Sequence, residues 1–134
     1  MRKINLIVWH CSATPPSMDI GAEKIREWHV DVNGWSDIGY HWIIRRDGTV
    51  DKGRDESRSG AHAKGFNANS IGVCLVGGVD SRQNPESNFT RAQYEAAFAL
   101  KDDLDARYSG VEHKGHNELS TKACPSLNAK ELFK

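Results

Sequence analysis

Residues 71–76 read Ile-Gly-Val-Cys-Leu-Val and are followed by Gly77 and Gly78, and this stretch decides the fold. A short apolar run that contains β-branched residues and ends at glycine is typical of a buried strand. Residues 4–9, Ile-Asn-Leu-Ile-Val-Trp, form a second run that is rich in strand-forming residues. We therefore interpret both runs as buried strands.

The segments around these two runs alternate between helical and strand patterns. Thr90 is followed three residues later by Gln93, which is the pattern of a capping box at the start of a helix. The predicted elements are a strand over 4–9, a helix capped at Asp19 and ended by Asn33-Gly34, a strand over 40–45 that turns at Asp47-Gly48, the strand over 71–76, a helix between Thr90 and Gly110, a strand over 111–114, and a short helix capped at Asn128. This alternation predicts one α/β domain over residues 1–134, with a central mixed sheet flanked by helices.

The composition excludes several classes of protein. Lys plus Arg and Asp plus Glu both number 18, so the formal net charge is zero, which disfavours a dedicated nucleic-acid-binding protein. No apolar run is long enough to span a bilayer, so we expect no membrane insertion. The apolar stretch near the N-terminus is short and lacks a cleavage site of small residues, so we expect no signal peptide. An odd number of cysteines, three, fits free thiols or a metal ligand in a reducing compartment.

Histidine and cysteine side chains are the candidates for a metal site. They are His10, Cys11, His41, His62, His113, His116 and Cys124. Zinc binds neutral imidazole and thiolate, and a catalytic zinc ion has three protein ligands and an open position for water. The chain has no Cys-x-x-Cys pair, so the ligands would come from distant positions. Residue type alone leaves the choice among them open, because an isolated histidine is more often a surface or core residue.

Several motifs then occur in a recognisable order. They are Val-Trp-His-Cys-Ser-Ala-Thr (8–14), Gly-Tyr-His (39–41), Arg-Asp-Gly-Thr-Val (46–50), Gly-Ala-His-Ala (60–63), Asn-Ser-Ile-Gly-Val (69–73) and Lys-Ala-Cys-Pro (122–125). Together they resemble the type-2 N-acetylmuramoyl-L-alanine amidases, the family that includes the peptidoglycan recognition proteins and phage lysozymes. The resemblance extends from about residue 4 to the predicted C-terminal helix and is strongest to the phage members.

The resemblance implies a zinc amidase that cleaves the lactyl–L-alanine amide bond of peptidoglycan. It implies one Zn²⁺ per chain, with His10, His116 and Cys124 as ligands. Tyr40 and Lys122 match the two catalytic positions of the family that are not ligands. Without the family pattern we would interpret Tyr40 as a half-buried strand residue and Lys122 as a loop lysine. Members that bind peptidoglycan without cutting it commonly lack the cysteine ligand, so Cys124 indicates an enzyme.

The remaining candidates receive other roles. Cys11 should point to the face opposite His10, because neighbouring strand residues alternate. We expect His113 to be a solvated loop residue, Cys74 to be a small core residue, and His41 to have a packing or supporting role. In the family the Gly-Ala-His-Ala region lines the peptidoglycan groove, so the resemblance implies a substrate contact for His62. Four residues of the same polar stretch are further candidates for contacts to the carboxylates of the stem peptide, and the alternative for each is a solvated surface residue: Arg54, Arg58, Lys64 and Asn67.

Three alternatives accompany this interpretation. A peptidoglycan-binding module without catalysis would lack a ligand residue. A glycosidase would need a pair of carboxylates, and no motif places one here. Phage members of the family can also bind a phage RNA polymerase, although only nine residues precede His10 and leave little room for an arm. We expect a monomeric phage or prophage endolysin that is made in the host cytoplasm and acts at the cell wall after release.

Overall fold

The computed structural model describes residues 2–133, which form five strands, three α-helices and three shorter helical turns. The strands are β1 (Leu6–Cys11), β2 (Trp42–Ile44), β3 (Val50–Lys52), β4 (Ser70–Leu75) and β5 (Glu112–Gly115). The α-helices are α1 (Ala22–Glu27), α2 (Arg91–Arg107) and α3 (Ala129–Leu132). A π-helical turn covers Trp28–Val32, and 3₁₀ turns cover Asn67–Asn69 and His116–Glu118.

The strands form a single mixed sheet in the order β3-β2-β4-β1-β5. β4 pairs in parallel with β1 on one side and with β2 on the other, and β1 also pairs in parallel with β5. The only antiparallel pair among the described residues joins β2 to β3. The hairpin predicted at Asp47-Gly48 makes this pair. The apolar runs thus become the two central strands, and the predicted mixed sheet is confirmed.

Alternation along β4 divides the core into two layers. Ile71, Val73 and Leu75 point towards α2 and α3, where Leu100 and Leu104 are buried against them. Cys74 points to the other face and packs with residues of α1. Period-two alternation is expected of strands, and here both faces are apolar because helices cover both sides. His10 is paired in register with Cys74, so it lies on the α1 face of the sheet.

The helix caps predicted from neighbouring residues are present at the two later helices but not at the first. The capping box of Thr90 and Gln93 is present, and the Asn128 side chain accepts a hydrogen bond from the Glu131 backbone, as predicted. The prediction that Asp19 caps the first helix was wrong. α1 begins at Ala22, whose backbone N–H donates to Asp51 Oδ2 on β3 at 3.0 Å. A carboxylate distant in sequence therefore satisfies the helix terminus.

The first helix and the second strand also differ in extent from the predictions. α1 passes into a π-helical turn at Trp28, so the helical pattern that extends to Val32 is not one α-helix. The strand predicted over 40–45 is regular only over Trp42–Ile44. Within residues 2–133, none of the helices has the length and apolarity needed to cross a membrane.

A half-buried carboxylate, Glu56, joins the loop between β3 and β4 to α2. Arg107 donates to both of its oxygens, at 2.6 and 2.9 Å, and Trp42 Nε1 donates at 2.6 Å. The Tyr108 hydroxyl donates a further hydrogen bond. Burial by itself would raise the pKa of Glu56, but these hydrogen bonds outweigh it, so the pKa lies below its ordinary value.

We expect Glu56→Gln to lower the free energy of unfolding at pH 7 by about 1–3 kcal/mol, because charge-assisted hydrogen bonds are lost. A carboxylate with a lowered pKa stabilises the fold above its unfolded pKa, and this contribution is lost as pH falls through the folded pKa. The difference between wild type and variant should therefore shrink below about pH 4. Urea unfolding at several pH values measures it. Glu95→Gln, in an exposed pair with Arg91, should change stability by less than about 1 kcal/mol. Equal stability of Glu56→Gln and wild type at pH 7 would contradict the prediction.

Candidate active site

The parallel pairing of β1 with β5 brings two of the predicted ligands together. Trp9 lies opposite Gly115 in this pairing, so His10 and His116 follow at the same end of the sheet. Their rings are 4.6 Å apart between centroids. Both residues lie where parallel strands end, and side chains at this edge of an open sheet can converge on a ligand.

Cys124 completes the cluster from a loop that precedes α3. Its sulfur accepts a hydrogen bond from the Cys11 backbone N–H at 3.2 Å and lies 3.6 Å from His10 Nδ1. One potential ligand atom from each of His10, His116 and Cys124 lies within 4.8 Å of the others. Among residues 2–133, this is the one group of three or more such side chains that could hold a metal ion.

The donor set suits zinc. Burial lowers the pKa of His10 well below its ordinary value, and it lowers that of His116 as well, with help from the positive charge of Lys122. Both imidazoles are therefore neutral and able to donate a lone pair at pH 7. The Cys11 thiol and burial together raise the pKa of Cys124, so its thiolate needs a cation for compensation. Two neutral imidazoles and one thiolate are ligands that zinc prefers.

The two predicted catalytic residues lie beside this cluster. The Tyr40 ring is 5.1 Å from the His10 ring between centroids. Burial raises the pKa of Tyr40 well above its ordinary value, so its hydroxyl remains protonated. Lys122 is exposed, and its charge lowers the pKa of both His10 and His116. A hydroxyl donor and an ammonium group thus accompany the metal-ligand residues.

An open groove of about 650 Å³ leads to the cluster. It is lined by Trp35, His62, Lys64, Asn67, His116 and Lys122, among others. A larger cavity of about 880 Å³ lies between the β2–β3 hairpin and α2, but no histidine or cysteine lines it. The chemistry therefore selects the smaller groove as the place where a substrate meets the cluster.

Comparison with known proteins agrees with this geometry. Residues 1–127 match the model of the Amidase_2 family, N-acetylmuramoyl-L-alanine amidase. The chain belongs to this family. The endolysin of Escherichia phage T7 is 53% identical over 92% of the amidase and 82% of its own length, and the endolysin of Klebsiella phage KP32 is 52% identical over the same shares. Among solved structures, the amidase LysC from Clostridium intestinale URNW has a TM-score of 0.84 and 33% identity, covering 98% of the amidase and 83% of LysC.

The family and the activity predicted from the motifs are therefore confirmed. The amidase hydrolyses the bond between N-acetylmuramic acid and L-alanine, so its substrate is peptidoglycan. The similarity to phage endolysins assigns it to the endolysins, which act on the bacterial cell wall.

Two of the residues predicted to contact substrate lie away from the groove of the amidase. Arg54 is only 8% exposed, and its guanidinium donates to the carbonyl oxygens of Ile38 and Ser59 at 2.9 and 2.7 Å. Arg58 forms an ion pair with Asp37 at 3.4 Å. Arg54 thus satisfies one carbonyl group before β2 and one in the loop between β3 and β4. Both guanidinium groups are engaged by other parts of the protein rather than directed into the groove.

His62, Lys64 and Asn67 line the groove, but their side chains differ in the polar atoms that are free to bind a ligand. Lys64 is exposed. The Asn67 side-chain oxygen accepts from the backbone N–H groups of His62 and Ala63, both at 2.9 Å, so it holds the loop. Both ring nitrogens of His62 lie within hydrogen-bond distance of protein side chains, which leaves its ring no free polar atom.

The expectation that His113 is a solvated loop residue was wrong. It lies in β5, its Nδ1 accepts from Trp9 Nε1 at 3.0 Å, and its Nε2 is 2.7 Å from Asp105. The pattern of apolar residues could not reveal these hydrogen bonds, because a histidine that bonds to other side chains and one that bonds to water look the same in the sequence. Cys11 does pack on the face opposite His10, and Cys74 is buried, as expected.

Sequence reasoning missed Trp35, which lines the groove and is 38% exposed. Its ring lies 4.5 Å from that of His29, between centroids, and His29 accepts a hydrogen bond from the Gly39 backbone at 2.9 Å. A tryptophan in a polar loop was the available signal, since a large exposed aromatic residue often marks a binding surface. Trp35 is therefore part of the candidate groove.

Proposed function

We propose that this amidase is a zinc enzyme with one ion per chain, held by His10, His116 and Cys124. The observation that carries the proposal is the convergence of two neutral imidazoles and a thiol to within 4.8 Å, beside an open groove that His116 lines. Three protein ligands leave a fourth position free, which is the arrangement of catalytic zinc sites. When bound, zinc supplies Lewis acidity, which polarises a carbonyl group and makes water a stronger acid.

The protein side chains supply the remaining chemistry. The Lys122 ammonium stabilises negative charge that develops on the carbonyl oxygen of the lactyl group. The Tyr40 hydroxyl, kept protonated by burial, orients the attacking water and passes a proton towards the leaving alanine nitrogen. Lys64 and Trp35 line the groove where the glycan and the stem peptide would lie.

The proposal also covers the domain organisation of the protein and the place where it acts. Residues 1–134 act as one catalytic domain, which is supported by the single sheet and by the family match over residues 1–127. As an endolysin it is made in the host cytoplasm and reaches the wall when it is released. A monomeric state and binding to a phage RNA polymerase stay predictions.

Metal removal tests the proposal directly. We expect the purified amidase to contain one zinc ion per chain and to release new L-alanine amino termini from bacterial cell walls. Chelation should remove the zinc and the release together, and zinc, but not magnesium, should restore both, because magnesium prefers oxygen ligands. Circular dichroism of the chelated protein serves as the control for folding. Full activity without metal would contradict the proposal, and so would reducing sugar ends released without amino termini, which would indicate a glycosidase.

A further inference from the structure

We propose that His62 is a positioning residue that holds the His10 ring in the tautomer and orientation required of a metal ligand. This inference rests on the proposed zinc site. It replaces the sequence-based expectation that His62 contacts the substrate. Its basis is a chain of buried hydrogen bonds that runs from His10 through His62 to Ser70.

The atoms of His10 fix the direction of this chain. Its Nδ1 faces the Cys124 sulfur at 3.6 Å, so Nδ1 is the nitrogen on the metal side of the ring. A ligand nitrogen must carry a lone pair, and the proton of the neutral ring therefore lies on Nε2. His10 Nε2 is 2.8 Å from His62 Nδ1. His10 consequently donates this hydrogen bond and His62 accepts it.

The tautomer of His62 follows from the same hydrogen bond. Because His62 Nδ1 accepts, the proton of its neutral ring lies on Nε2, which is 3.2 Å from the buried Ser70 Oγ. The opposite tautomer of His10 would direct an N–H group at the metal position. Second-sphere partners of this kind orient ligand histidines, although the usual acceptor is a carboxylate, a backbone carbonyl or water rather than a second histidine.

The fold contains a closely fitted slot for the His62 ring. A Cβ atom built on Gly72 of β4 would lie 2.6 Å from His62 Cγ, and one built on Gly60 would lie 2.7 Å from His62 Cδ2. Only glycine leaves room for the ring at these two positions. The Asn67 side chain holds the backbone N–H groups of His62 and Ala63, so the loop that carries the ring is also fixed. A ring confined in this way can hold its partner at a set angle.

Two substitutions at position 62 separate the hydrogen bond from the packing. His62→Leu fills the slot without an acceptor, whereas His62→Asn places an oxygen near the former position of Nδ1. We expect zinc affinity, measured by competition with a chromogenic chelator, to fall about 10- to 100-fold in the leucine variant. The asparagine variant should recover most of this loss. A leucine variant that binds zinc as tightly as wild type, or an asparagine variant that is no better than leucine, would overturn the proposal.

A matched control is available at His113, a half-buried histidine that also makes two internal hydrogen bonds. His113→Leu removes a comparable ring outside the cluster and should leave zinc affinity within about twofold of wild type. A loss there as large as in His62→Leu would show that general destabilisation, rather than positioning, lowers the affinity.

Nitrogen-15 NMR of the histidine rings in the metal-free wild type gives a readout that needs neither zinc nor activity. We expect the His10 proton on Nε2, and a His10 ring protonated at Nδ1 would overturn the proposal even if the leucine variant fails to fold. If the tautomer is as expected but the wild type binds no zinc, the proposed function fails while the His10–His62 hydrogen bond stands.

Discussion

Cys124→Ser will lose its zinc at micromolar protein concentration and will release amino termini from cell walls about a thousandfold more slowly, or not at all. A serine hydroxyl does not ionise near neutral pH and is a harder donor than the thiolate that zinc prefers. Without the metal, the pKa of the attacking water stays far above neutral, whereas a bound zinc ion would lower it towards neutral. Zinc content by mass spectrometry and amino-terminus release measure the two parts of the prediction.

The neighbouring thiol provides the control. Cys11 contacts Cys124 through its backbone N–H, which Cys11→Ala retains, and through its thiol, which raises the pKa of Cys124 and is lost in the variant. We expect Cys11→Ala to keep its zinc and most of its activity. Cobalt substitution distinguishes the thiols without any assay of catalysis, because the thiolate-to-cobalt absorption band should vanish in Cys124→Ser and persist in Cys11→Ala. The reverse pattern would assign the sulfur ligand to Cys11.

Elements whose signals lie within a few residues of one another were predictable from the sequence. The capping box of Thr90 and Gln93 and the turn at Asp47-Gly48 specify their elements locally, and both are present. The start of α1 was not predictable in this way. Its cap is Asp51, about thirty residues further along the chain, and only the folded sheet brings that carboxylate to Ala22.

The candidate site shows the same division between local and non-local information. Residue types and spacing left several histidines and cysteines open as ligands, and the family motifs selected His10, His116 and Cys124 among them. The parallel register between β1 and β5 brings His10 and His116 together, and Cys124 joins them from the loop before α3, which no local pattern encodes. The inward turn of Arg54 and the hydrogen bond of His113 to Trp9 depend equally on partners that are distant in sequence.

The arrangement around His62 shows why a motif does not specify the role of each of its members. The Gly-Ala-His-Ala motif suggested a groove residue, and His62 does lie beside the groove. Its polar atoms, however, are directed at His10 and Ser70, so they support the cluster from within. The glycine at position 60 belongs to the same arrangement, because a side chain there would collide with the ring.

Lys122→Ala should lower kcat about 100- to 1000-fold while the zinc content stays at one ion per chain. An ammonium group aimed at the developing oxyanion acts mainly in the transition state, and loss of one such donor costs about 3–4 kcal/mol. The side chain is exposed, so its removal leaves no cavity and the melting temperature should not change.

The kinetic pattern separates this role from simple attraction of an anionic substrate. A transition-state contact lowers kcat and kcat/KM together, whereas a contact made equally in both states raises KM alone. Lys64→Ala removes a second lysine from the same groove and should raise KM with little change in kcat, because that residue lines the groove but is not one of the residues that converge on the metal position. Lys130→Ala, on α3 outside the groove, controls for loss of charge and should behave as wild type. If Lys122→Ala raised KM without lowering kcat, Lys122 would be a binding residue, and stabilisation of the oxyanion would fall to the metal and Tyr40.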